Sequence, residues 1–125
     1  MNPAAVQESN LKALDQLHGM AKNEGAGFLF VLHGEREEAE TGSFGEGYDI
    51  FSSWADRSGI KLLDFAAAEV ESLKKGVDPY LLKSSIHIND AGQVLLADQL
   101  YEYFTAVSGG RYASEHALSS GRPDD

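Results

Sequence analysis

Two short apolar runs, separated by a stretch long enough for a crossover, are the feature that most constrains this chain. They are residues 28–32 (FLFVL) and 60–65 (IKLLDF), and each follows a glycine. In residues 28–32 the hydrophobicity is continuous rather than alternating, which is typical of a strand covered on both faces, as in a parallel sheet. Parallel strands require a crossover connection, usually a helix. The two runs therefore predict an α/β fold with a parallel sheet.

Helical patterns surround both runs. Residues 4–23 place apolar side chains at steps of three or four, and residues 48–58 and 66–75 also favour helix, the last two followed by glycine. Residues 34–47 are acidic and glycine-rich, so we expect a solvated loop there.

The final helix is expected to begin after Asn89, a preferred N-cap residue, and to run to about residue 105. Its inward face is predicted to carry Val94, Ala97, Leu100, Tyr101 and Phe104.

The order helix–strand–helix–strand–helix predicts a three-layer domain with a parallel sheet over residues 1–107. Residues 108–125 are rich in serine and glycine and predict a flexible tail. A doubly wound domain normally has about five strands, whereas this pattern supplies two. We therefore expect part of the sheet to be missing from this chain.

Composition excludes several classes of function. The formal net charge is −10, which argues against binding to nucleic acid and to anionic membrane surfaces. Cysteine is absent, so disulfides and thiolate chemistry are excluded. No apolar run approaches the ~20 residues of a membrane span. The first ten residues lack the pattern of a signal peptide, and the compartment stays open.

No metal site or cofactor site is predicted. The acidic run from Glu35 to Glu40 lacks the alternating oxygen ligands of a calcium loop, so it is interpreted as a solvated face. His18 and His33 have no partner at metal-ligand spacing, and His116 lies in the predicted tail. The glycines between residues 42 and 47 do not follow a strand directly, which argues against a nucleotide site.

His87 is the one residue whose position suggests catalysis. It lies immediately before the predicted N-cap of the last helix, and loops often carry functional side chains. Imidazole titrates near neutral pH and can act as a general base. Spacing alone favours a surface histidine or one whose hydrogen bonds are structural.

A longer stretch around His87 resembles a known family. The sequence His-Ile-Asn-Asp-Ala-Gly-Gln over residues 87–93, followed by VLLADQLY, resembles the last block of the SGNH (GDSL-like) hydrolases. The resemblance implies a flavodoxin-like α/β fold, of which this chain would hold the C-terminal half. It also implies that His87 is the base that deprotonates a serine, that Asn89 caps the last helix and fixes the histidine loop, and that Gly92 permits close packing.

The chain departs from that family at two places. Ser84 stands three residues before His87, where the family usually has aspartate, and Asp64, Asp78 and Asp90 are the alternatives in space. The Gly-Asp-Ser nucleophile block and the oxyanion-donating blocks are absent. Ser43 lies between glycines, but in the acidic loop, so no serine is assigned as nucleophile.

Two functions therefore stay open. The first is an SGNH-like ester hydrolase, acting on a small-molecule ester through an acyl-serine, with this chain a fragment or a degenerate member that is inactive alone. The second is a small acidic α/β interaction domain without catalysis, completed by self-association or by a partner that supplies the missing strands.

Overall fold

A computed structural model describes residues 2–107; the predicted tail, residues 108–125, lies outside the described residues. The chain forms five helices and two strands within these limits. In chain order they are α1 (Pro3–Asn23), β1 (Leu29–Leu32), α2 (Arg36–Thr41), α3 (Glu46–Arg57), β2 (Lys61–Asp64), α4 (Phe65–Lys74) and α5 (Asp90–Val107).

The two strands pair in parallel, as the apolar runs predicted. The register runs from Leu29 opposite Lys61 to Leu32 opposite Asp64. Among residues 2–107 the sheet has only these two strands, and most of the chain is helical. The fold is therefore mixed α/β, and the complete three-layer architecture stays a prediction.

One face of the sheet packs against α1 and α3. Phe30 and Leu62 lie opposite each other in the register and contact the cluster formed by Trp54, Ala55 and Ile60. The Trp54 indole N–H donates to Asp15 Oδ1 at 2.8 Å, which ties α3 to α1. Because side chains alternate along a strand, the neighbours of Phe30 and Leu62 point to the opposite face.

That opposite side holds α4, which begins directly where β2 ends. Asp64 is both the last strand residue and the N-cap, and its Oδ1 accepts a hydrogen bond from the Ala67 N–H at 3.0 Å. Phe65 and Ala66 are fully buried in the first turn of the helix.

The solvated loop predicted for residues 34–47 is wrong in its centre, where α2 forms. Glu35 and Glu38 make a reciprocal capping box, in which each side chain accepts from the backbone of the other. Ala39 then buries its methyl group. The acidic side chains that suggested a loop are the residues that begin this helix, since carboxylates favour a helix N-terminus.

The predicted inward face of α5 is also wrong. Val94 is 61% exposed and Tyr101 is 73% exposed, and Phe104 also faces solvent. The helix is apolar on most of its circumference, so its periodicity does not identify the packed side. None of the helices between residues 2 and 107 is both long and apolar enough to cross a lipid bilayer.

The start of α5 matches the sequence prediction. Asn89 Oδ1 accepts from the Gly92 N–H at 2.9 Å, which is the hydrogen bond of an N-cap. Gly92 is buried, and a Cβ atom there would lie 2.7 Å from Ile88 Cβ and closer still to the Pro79 carbonyl oxygen. Close packing therefore requires glycine at this position.

Gly92→Ala is expected to destabilise the chain, because a backbone oxygen and a β-carbon both occupy the space. Overpacking of this kind costs about 1–3 kcal/mol. Gly19→Ala is the matched control, since nothing lies within 4 Å of the added methyl and alanine favours a helix interior by up to about 1 kcal/mol. Urea unfolding measures both, and equal stability of the two variants would contradict the packing argument.

Candidate functional site

The segment between α4 and α5 forms a loop that carries His87, and hydrogen bonds from Asn89 hold the two ends of this loop together. The Asn89 amide donates from Nδ2 to the carbonyls of Asp78 at 2.8 Å and Tyr80 at 2.9 Å. Tyr80 and Ile88 form an antiparallel bridge. The Leu81 N–H then donates to the His87 carbonyl at 2.8 Å. The second role predicted for Asn89, fixing the histidine loop, is therefore confirmed.

Ser84 contacts the His87 ring from within this loop. Ser84 Oγ lies 3.0 Å from His87 Nδ1. The same oxygen accepts from the backbone N–H groups of His87 at 3.0 Å and Ile86 at 3.3 Å. His87 itself is exposed, and Nε2 makes no hydrogen bond within the described residues.

These contacts assign a tautomer to neutral His87. A hydroxyl oxygen has two lone pairs and one hydrogen. The two backbone donors occupy the lone pairs of Ser84 Oγ, so its hydrogen is directed to Nδ1 of His87. Nδ1 then accepts, and the ring proton lies on Nε2. The same occupied lone pairs make Ser84 unsuitable as a nucleophile.

None of the three aspartates considered as a replacement acid is hydrogen-bonded to His87. Asp64 accepts from the Tyr48 hydroxyl at 2.5 Å as well as capping α4. Asp78 pairs with the Arg36 guanidinium at 2.7 Å, and this hydrogen bond lowers the pKa of the Asp78 carboxyl. Asp90 is exposed in the first turn of α5. Ser84 is thus the side chain that orients His87.

A buried carboxylate lies behind this loop. Glu69 of α4 has no exposed surface, and its Oε1 accepts from the Gly34 N–H at 2.9 Å. His33, directly after β1, places Nδ1 3.1 Å from Glu69 Oε1 and 3.0 Å from Oε2. The other ring nitrogen of His33 lies 2.5 Å from the Ile86 carbonyl oxygen.

Both nitrogens of His33 therefore face acceptors, and only the imidazolium can donate to both at once. The hydrogen bond to Glu69 raises the pKa of His33; burial opposes this, and the Ile86 carbonyl and the charges of Glu69 and Glu38 add to the rise. A cation at His33 also neutralises the buried Glu69 carboxylate, which would otherwise be costly.

Arg36, in the first turn of α2, reaches the same loop. Its Nε donates to the Ser84 carbonyl at 3.2 Å and its Nη2 to the Leu81 carbonyl at 2.9 Å. Its backbone N–H donates to the Ser85 carbonyl at 2.8 Å. The guanidinium lies 5.2 Å from the centre of the Tyr80 ring, a cation–π distance.

Two tyrosines close the neighbouring space. The bond to Asp64 raises the pKa of Tyr48 to about 12, with burial as a second cause. Tyr80 is buried and donates from its hydroxyl to the Gly34 carbonyl at 3.0 Å. Burial is the main reason that the pKa of Tyr80 is raised. Both hydroxyls therefore act as neutral structural donors.

His87 does not line any of three cavities found within residues 2–107. A cavity of about 440 Å³ at the carboxyl end of β1 is lined by His33, Glu35, Glu38 and Tyr48, among others. Ligands of open α/β sheets bind at this end of the strands. Within residues 2–107, no three histidine, aspartate or glutamate side chains are grouped closely enough to hold a metal ion.

Sequence reasoning missed His33, Glu69 and Arg36. His33 was considered only for metal spacing, and its partner Glu69 lies 36 residues away in the chain. The available signal was position, since His33 follows an apolar strand directly, where α/β proteins place functional side chains.

Comparisons of the chain with protein-family models, with curated proteins and with solved structures find no match in any of the three.

His33→Gln is expected to remove a pH-dependent part of the stability. Because the folded pKa of His33 is raised, its contribution is complete below the unfolded value of about 6.5 and is lost as pH rises through the folded pKa. Urea unfolding of both proteins across this range checks it. The stability difference between the two proteins should shrink with rising pH. A constant difference for His33→Gln would contradict the imidazolium assignment.

Proposed function

We propose that this chain carries the general-base part of an SGNH-like ester hydrolase, with His87 as the base and Ser84 in the position of the usual carboxylate. The observation that carries the proposal is the 3.0 Å contact between Ser84 Oγ and His87 Nδ1. It is the contact that the orienting carboxylate makes in a serine–histidine–aspartate triad. The hydrogen bonds of Asn89 and the close packing at Gly92 support the proposal, because both agree with the roles that the resemblance implies.

The architecture is proposed to be the last two strands of a three-layer parallel sheet. The cluster around Trp54 covers one face of the sheet, α4 contacts β1, and α5 contacts β2. In a flavodoxin-like order the final strands lie at one side of the sheet. The free edge of β1 would then receive the strand that precedes it in the complete domain.

In the proposed reaction, His87 Nε2 takes the proton of a serine hydroxyl as its oxygen attacks the ester carbonyl. The resulting imidazolium then protonates the departing alcohol, and water releases the acyl group from the serine. No serine of residues 2–107 is assigned as the nucleophile. The substrate class is a small-molecule ester.

Ser84 makes His87 a poor base in this reaction. The hydrogen bond from the Ser84 hydroxyl places the ring proton on Nε2, the atom that must accept a proton. In triad enzymes an uncharged partner that favours the wrong tautomer costs about 10⁴ in turnover. We therefore propose a degenerate hydrolase, in which the geometry of the histidine loop is retained but the uncharged Ser84 replaces the carboxylate.

Hydrolysis of p-nitrophenyl acetate by the complete gene product tests this function. In the Ser84→Asp background, His87→Ala is expected to lower turnover by on the order of 10²-fold or more, the usual contribution of a general base. Ser84→Asp is expected to raise turnover, because a carboxylate accepts from Nδ1–H and leaves Nε2 free. Nitrogen NMR of the His87 ring should show the proton moving from Nε2 to Nδ1 in that variant.

Ser72→Asp is a control for the added charge, since Ser72 lies on α4 and donates to the Val77 carbonyl. Turnover that is unaffected by His87→Ala would contradict the assignment of the base. Absence of hydrolysis in every variant, including Ser84→Asp, would contradict the hydrolase proposal itself.

The second candidate is an interaction domain completed by another copy of this chain. The observation that favours it is the incomplete burial of β1, where Leu29, Phe30 and Val31 are all only partly covered. Continuous apolar strands belong in the interior of a sheet, and an open edge is a template for pairing. Exposed apolar side chains on α5 add to the uncovered surface, namely Val94, Tyr101 and Phe104.

Sedimentation equilibrium tests this second candidate. The interaction domain predicts that the apparent mass rises with protein concentration and that Tyr101→Glu weakens the association, because a charge would enter the apolar contact. Glu102→Gln, an exposed neighbour on the same helix, is the matched control. A monomer at all concentrations with a cooperative thermal transition would exclude it.

A further inference from the structure

The loop that carries His87 has little apolar anchoring of its own. Leu82 is 86% exposed, and Leu81 and Ile86 are each about half exposed. Lys83 has a φ angle of 64°, the one positive φ of a non-glycine residue within residues 2–107. A lysine in this left-handed region is strained. Hydrophobic packing therefore does not account for the position of the loop.

Carbonyl groups of the loop instead bind two cationic side chains that follow β1. Arg36 donates to the carbonyls of Leu81 and Ser84, and His33 donates to that of Ile86. Leu81 lies two residues before the strained Lys83, Ser84 follows it directly, and Ile86 lies three residues after it. Hydrogen bonds from charged donors are about twice as strong as neutral ones.

We infer that His33 and Arg36 are positioning residues for His87, holding its loop through backbone carbonyls so that the imidazole faces solvent in one orientation. The inference rests on the proposed function insofar as it concerns catalysis. Neither residue contacts the reacting atoms, and both act through the loop.

His33 and Arg36 are each fixed by a second contact besides their contact with the loop, so their donors are preorganised. Glu69 fixes His33, and Glu69 is in turn held by the Gly34 N–H. Asp78 fixes Arg36 through Nη1, and the Tyr80 ring lies beneath the guanidinium. Because these contacts already order the two side chains, less conformational entropy is lost when they bind the loop. The carboxyl end of β1 and the His87 loop thus behave as one unit.

Lysine cannot replace Arg36 in this role. The guanidinium divides its contacts among Asp78, Leu81 and Ser84 through three different nitrogens, whereas an ammonium is a single point charge. Arg36→Lys keeps the positive charge but loses the planar set of donors, so we expect that it fails to hold the loop.

Hydrogen exchange of the Leu81 amide is the direct test, because this N–H closes the loop on the His87 carbonyl. In Arg36→Gln and in Arg36→Lys its protection is expected to fall about tenfold or more, the scale of one charge-assisted hydrogen bond. His33→Gln should lower it in the same direction. Arg57→Gln is the matched control, since Arg57 is exposed on α3 and its side chain makes no hydrogen bond in the described residues.

Trp54 fluorescence reports whether each variant is folded, because Trp54 lies in the core on the other side of the sheet. If Arg36→Gln does not fold, Arg36→Lys and His33→Gln still decide the matter. Leu81 protection equal to that of Arg57→Gln in the folded variants would overturn the inference.

Turnover of p-nitrophenyl acetate in the Ser84→Asp background separates this inference from the proposed function. A positioning role predicts that Arg36→Lys lowers kcat about tenfold with KM nearly unchanged. If His87→Ala abolishes turnover and Arg36→Lys leaves kcat intact, positioning is overturned while the base assignment stands. If no variant hydrolyses the ester but Leu81 protection falls, the loop contacts stand and the hydrolase proposal fails.

Discussion

The fold around the candidate site depends on the burial of one charge, the carboxylate of Glu69. A carboxylate without exposed surface must be paired and hydrogen-bonded, or it destabilises the folded chain. Its oxygens receive the Gly34 N–H and face the His33 ring, so that α4 is joined to the end of β1. The other ring nitrogen of His33 donates to the Ile86 carbonyl, which belongs to the loop that carries His87. A local requirement for neutralisation thus determines where a distant histidine lies.

Those features of the fold that depend on local chemistry could be predicted from the sequence. The two apolar runs indicated the strands, and the continuous hydrophobicity of residues 28–32 is typical of a strand covered on both faces, as in a parallel sheet. Asn89 and Gly92 were assigned their structural roles because a cap and a close approach each demand a particular residue type. The helix α2 was missed because Glu35, rather than serine or threonine, begins its capping box.

Other features depend on contacts that are remote in sequence. The exposed side of α5 could not be identified, because its apolar side chains are spread around most of the helix and do not single out the face that packs. The pairing of His33 with Glu69 arises only after the crossover brings the end of β1 beside α4. The sequence left three aspartates open as the partner of His87, and the contact with Ser84 and the tautomer that follows from it required the folded loop with its two backbone donors.

The direct junction between β2 and α4 has a consequence for how this chain can vary. Asp64 ends the strand, caps the helix and accepts from Tyr48, so the junction has no spare residue. An insertion there would rotate α4 by about 100° per residue relative to the sheet and would turn Glu69 away from His33. The strand–helix junction should therefore keep a fixed length among homologous chains.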